Sequence, residues 1–229
     1  MKQMFLHFEI WGWIMKNSRI VYLSLTFLMI AAVPIVSGIF LRGTEAGNEQ
    51  AAYDYVIFII MTLISVLGVV PFLLGIHSYY HMESSECIYL SPVWSDWRQF
   101  AVNELFCSGV ICVMMLVVGL QYASKIGVRM IIRSLIDFII ILFILNAVAH
   151  LIVKIFRQIY FTLILTELYA VTFWLLRLFP SIIFNVYSLY DTDGLKRLFH
   201  IGVYLTVGCF MEFAVCRIHR IRYPDLVKT

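Results

Sequence analysis

Six apolar runs, at residues 20–41, 55–76, 105–122, 131–153, 159–179 and 200–216, occupy most of the chain. Each approaches or exceeds the roughly 20 residues that a helix needs to cross a hydrocarbon layer about 30 Å thick. That layer holds no water, so every backbone N–H and C=O must be paired within the segment, which a helix does and an open strand does not. The expectation is an all-α polytopic membrane protein, with six transmembrane helices in a single transmembrane domain over residues 1–229. Composition agrees: 62% of residues are hydrophobic and 14% charged, against about 45–50% and 25% in soluble domains. Mean hydropathy is +0.91. These values exclude a soluble globular domain, a disordered chain and a nucleic-acid reader. The net charge of +3 is too small to draw a polyanion, so the lipid bilayer is an expected partner and nucleic acid is not.

The thinnest boundary lies between the fourth and fifth runs, where Lys154, Ile155, Phe156, Arg157 and Gln158 alone separate them. Without a break there the chain would have five spans and termini on opposite sides. Basic residues at span ends set the orientation. With the N-terminus inside, ten basic residues are cytoplasmic and seven are outside. Lys16 and Arg19 before the first run, and Arg217, Arg220 and Arg222 after the last, lie directly against spans. Both termini are therefore expected in the cytoplasm, in a bacterial plasma membrane. The first run is too long for a signal-peptide core. Residues 3–16 place Met4, Phe8, Trp11 and Met15 on one stripe, which reads as an interfacial amphipathic helix before the first span. The five cysteines form no C-x-x-C pair and read as small hydrophobes.

The longest cytoplasmic stretch under this topology is residues 77–104. Glu83 and Glu86 precede the apolar Ile88, Tyr89 and Leu90, and Ser91-Pro92 has the form of a helix N-cap followed by proline at the first helical position. A short helix, a sharp turn and a second helix entering span three are expected. Residues 181–190 stay apolar after Pro180 and before the turn Asp191-Thr-Asp-Gly194. Ten residues cannot cross, so a short interfacial or re-entrant helix on the outer side is expected, with a plain amphipathic loop as the competing account.

These features together resemble type 2 ABC transporter permeases: an interfacial first helix, six spans, an acidic segment with a Leu-x-x-x-Pro-like stretch between spans two and three, and an outer segment after span five. Here that stretch is Glu83-Ser-Ser-Glu86-Cys-Ile-Tyr-Leu90-Ser-Pro92-Val-Trp-Ser-Asp-Trp-Arg98. Asn103 stands where the family pattern places a lysine. The resemblance implies that Glu83, Glu86, Tyr89, Leu90, Pro92, Trp94, Trp97 and Arg98 form a coupling helix docking into an ABC ATPase subunit. It also implies a second permease subunit, the same or a related chain, and an exporter. Cofactors are expected only in the partner ATPase, as ATP and Mg. An ordinary connector anchored by Trp94 and Trp97 at the interface is the alternative.

Asp137, Asn146, His150, Glu167 and Glu212 fall inside apolar runs, where ionisable or polar groups are costly and face partners or wet cavities. Asn146 and Glu167 lie at similar depth and could meet mid-membrane, while His150 and Glu212 both lie near the inner surface. Interhelical hydrogen bonds, a substrate path or a proton relay would each use such residues. No residue is assigned as catalytic and no metal site is assigned. His77 and His81, four apart with Glu83 nearby, have a spacing that could bind a metal, so a membrane-embedded metal enzyme is one alternative function. A non-catalytic membrane scaffold or immunity protein is another. The chain has no G-x-S-x-G, H-E-x-x-H or G-x-x-x-x-G-K-[ST], so an ABC role needs a separate ATPase chain. With short outer loops, the expected cargo partitions into the bilayer, as an amphipathic peptide or a lipid-like molecule does.

Overall fold

The computed structural model describes residues 96–126, 128–175, 189 and 194–222, together with residues 24, 27, 31 and 35, which are helical and exposed. The described part is all-helical, in four helices: α1 (Asp96–Ile126), α2 (Val128–Phe156), α3 (Ile159–Leu175) and α4 (Gly194–Arg222). Of the six apolar runs, those at 105–122, 131–153 and 200–216 lie inside α1, α2 and α4. The run at 159–179 begins with α3. The runs at 20–41 and 55–76, the N-terminal residues 3–16 and the outer segment 181–190 lie outside the described residues, save the isolated positions above and the buried Leu189.

Two of the four helices are long and apolar enough to cross a membrane, over Ile131–Phe156 and Gly194–Arg222. At about 1.5 Å per residue each exceeds the roughly 30 Å of a hydrocarbon core. The β-branched residues that crowd α2 are indifferent helix formers in water, so its helix draws more on packing and backbone pairing than on intrinsic propensity.

α2 is the central element and packs against α1, α3 and α4, with a smaller contact between α1 and α4. Its apolar core positions, Phe138, Ile140, Ile141, Leu142, Ile144, Leu145, Ala147, Ala149 and Val153, are all buried. α4 differs. Within its span only 22% of residues are covered, against 67% for α2, and Leu198, Phe199, Leu205, Phe210 and Phe213 are open. α4 turns just one face inward: Tyr204, Gly208, Glu212 and Val215, at i, i+4, i+8 and i+11. Gly208 lets the two backbones come close, because a Cβ there would overlap the Phe143 ring of α2.

The thin boundary between the fourth and fifth runs is a turn of two residues. Arg157 takes a left-handed backbone (φ 55°) and its N–H donates to the Val153 carbonyl at 2.8 Å, closing α2. Gln158 then offers its carbonyl to both the N–H (3.1 Å) and the hydroxyl (2.8 Å) of Thr162, which opens α3. The Phe156 and Phe161 rings meet edge-to-face at 4.6 Å across the turn. Gly194, the first residue of α4, has a left-handed backbone (φ 58°), which glycine adopts without a Cβ penalty.

Candidate functional site

Four buried polar side chains of α2, Asp137, Asn146, His150 and Lys154, are each met from a neighbouring helix. Near the end of α2 at Val128, Arg197 of α4 forks onto Asp137, with Nη2 at 2.6 Å and Nε at 3.2 Å from Oδ1. Its Nη2 also donates to the Arg133 carbonyl at 3.3 Å. Asp137 is fully buried and Arg197 is 19% exposed. Paired donors in a planar fork suit a carboxylate, and a buried carboxylate without such donors would be costly.

Further along, Asn146 Nδ2 donates to Glu104 Oε2 of α1 at 3.2 Å, and the Ser108 hydroxyl donates to the other Glu104 oxygen at 3.0 Å. One turn on, His150 Nδ1 lies 3.1 and 3.0 Å from the two oxygens of Glu212 on α4. Both side chains are buried, and a hydrogen on Nδ1 satisfies the contact. The His150 ring lies nearly parallel to Phe100 of α1, 6.5 Å between centroids, and Phe100 meets Phe143 edge-on at 5.2 Å. Lys154, another turn on and itself buried, donates from Nζ to His219 Nδ1 at 2.9 Å. That contact fixes Nδ1 of His219 as an acceptor. Arg222 of α4 donates to the Lys154 carbonyl and, at 3.2 Å, to that of Ile155. Those carbonyls belong to the last turn of α2, where the helix's own N–H groups have run out and cations are favoured.

Of the intramembrane candidates, Asp137, Asn146, His150 and Glu212 therefore lie in this polar seam. Asn146 meets Glu104; the side chain of Glu167, on α3, lies outside the described residues, so the expected Asn146–Glu167 pair lies there too. Glu104, Arg197, Lys154 and His219 belong to the seam although sequence reasoning left them as loop or span-end residues. The available signal was position along the runs: Arg197 stands three residues before the last apolar run and Asp137 six residues into the fourth, on the same side under the expected topology. Of the coupling candidates, Trp97 and Arg98 are described and both are exposed. Trp97 stacks on Phe100 at 5.8 Å. Glu83, Glu86, Tyr89, Leu90, Pro92 and Trp94, with His77 and His81, lie outside the described residues. Among the described residues, no three His, Cys, Asp or Glu side chains gather as a metal would need.

Compared with known proteins, the chain matches no family model, no curated protein and no solved structure.

Proposed function

We propose that this chain is the membrane permease subunit of an ATP-driven ABC exporter, coupled to a separate ATPase through residues 77–104 and moving an amphipathic or lipid-like cargo. It would sit in a bacterial plasma membrane as one of two permease subunits, with both termini in the cytoplasm. The observation that carries the reading is the head of α1. Trp97 is 46% exposed and Arg98 is exposed, while Gln99 and Phe100 directly after them are 1% and 3% exposed. An aromatic and a cation are thus presented outward by a helix that is anchored within one turn, as a docking surface requires.

The seam gives the mechanical link. α1 is tied to α2 through Phe100 and Glu104–Asn146, and α2 to α4 through Asp137–Arg197 and His150–Glu212. A force applied at Trp97 by a closing ATPase would therefore move α1, α2 and α4 together, as a rigid body rather than by bending one helix. The exposed apolar face of α4 would then meet lipid or the second permease subunit. Placing a photo-reactive residue at position 97 in cells tests this reading. Cross-linking to an ATP-binding chain is expected, and illumination that yields adducts to no ATPase would overturn it.

A further inference from the structure

A cleft of about 360 Å³ opens between Trp97 of α1 and the last four turns of α4, lined by Cys209, Phe213, Cys216, Arg217 and Arg220. The α4 residues fall at i, i+4, i+7, i+8 and i+11, one continuous face beside the buried stripe. The chemistry of this face is divided along its length. Toward the membrane interior the α4 wall is a phenylalanine and two free thiols, which act as small hydrophobes, and Trp97 forms the facing wall. Leu205, one turn further in on the same row as Cys209 and Phe213, is 41% exposed and extends the apolar track. At the other end stand two guanidinium groups and, among the described residues, no carboxylate. Among the described residues neither Arg217 nor Arg220 has an ion-pair or hydrogen-bond partner.

We propose that this cleft binds one anionic phospholipid of the inner leaflet, its phosphate and acidic headgroup between Arg217 and Arg220 and one acyl chain along Phe213, Cys209 and Leu205. The volume suits a headgroup and the first methylenes, with the rest of the chain lying in the bilayer against the open face of α4. Basic pockets between helices on the cytoplasmic side recognise acidic headgroups, and each arginine near an anionic headgroup strengthens binding several-fold. A zwitterionic choline lipid would place its cation beside two arginines and gain less. The inference rests on the membrane-spanning reading with the C-terminus inside, because only that puts Arg217 and Arg220 at the inner headgroup level.

The test is native mass spectrometry of the full chain in mild detergent, titrated with phosphatidylglycerol or phosphatidylcholine. One phosphatidylglycerol per chain is expected to be retained in preference to phosphatidylcholine. Arg217→Gln/Arg220→Gln is expected to weaken that retention by roughly tenfold or more. Arg129→Gln, which removes an exposed cation at the opposite end of α2, is expected to leave it unchanged. Equal retention of the two lipids, or a double variant that binds as the parent does, overturns the proposal. Should the double variant fold poorly, the two single variants must each show part of the loss, and the absence of any loss counts against the site. Alkaline carbonate extraction of the same membranes separates the two claims. Release of the chain would defeat the membrane reading itself, whereas an integral chain with no lipid preference would defeat the cleft alone.

Discussion

The Asp137–Arg197 contact makes a quantitative demand on the fold. Removing the fork by Arg197→Gln leaves a carboxylate with no exposure to water and a 2.6 Å partner lost. Losing one member of a buried ion pair costs about 3–5 kcal/mol. Arg197 is 19% exposed, so water screens the intact pair a little and the lower end, about 3 kcal/mol, is expected. Asp137→Asn removes the charge instead and leaves an arginine able to reach water, for about 1 kcal/mol. The double variant Asp137→Asn/Arg197→Gln has no orphaned charge and is expected to lose about 2 kcal/mol, giving a coupling near 2 kcal/mol. An average polar contact between membrane helices couples by only about 0.6 kcal/mol, so the cycle distinguishes a structural ion pair from an incidental one. The assay is detergent-denaturant unfolding in mixed micelles, followed by circular dichroism for all four proteins of the cycle. If the two single losses simply add to within about 0.5 kcal/mol in the double variant, the reasoning fails.

Other substitutions probe the remaining joints. Gly208→Ala is expected to cost about 1–3 kcal/mol by driving a methyl into the Phe143 ring, and Phe143→Leu in the same chain should recover part of that loss in the same unfolding assay. At the α2–α3 turn, Arg157→Gly should stabilise by up to about 1 kcal/mol because its φ of 55° is left-handed, whereas Arg157→Val should destabilise by a similar amount. Glu212→Gln keeps an acceptor for His150 and is expected to cost less than Glu212→Ala, which leaves a buried imidazole N–H unanswered for about 1–3 kcal/mol. A melting order reversed between those two would count against the contact. Single-cysteine labelling in intact cells should mark position 129 from outside and position 228 only after permeabilisation; the opposite pattern would invert the orientation.

The helical class is legible from the sequence because the bilayer argument needs only run length and charge content. The residues of the α2–α3 break are also visible as a short charged interruption, though not its mechanism, since a left-handed arginine carries no composition signal. The partners of the seam were harder. Depth along a span can be counted, and it places His150 with Glu212 and Arg197 with Asp137. It does not say which helix stands next to which. The contact of Asn146 with Glu104 emerges only from the packing of α1 against α2, because Glu104 stands before the counted span. An apolar helix surface weakens the usual guide further, because a span that is hydrophobic all round shows no preferred face. Glu104 was hidden for a simpler reason: counting apolar residues starts the span after it, yet α1 is already helical and packed at that level.

Purification of the tagged full chain from its own membranes in mild detergent, with every co-eluting protein identified and ATP hydrolysis assayed, tests the transporter account most directly. The account predicts a stoichiometric ATPase that is lost on Glu86→Lys or Trp94→Ala while the chain itself remains folded. A chain that elutes alone, or with an ATPase whose retention ignores both substitutions, would contradict it.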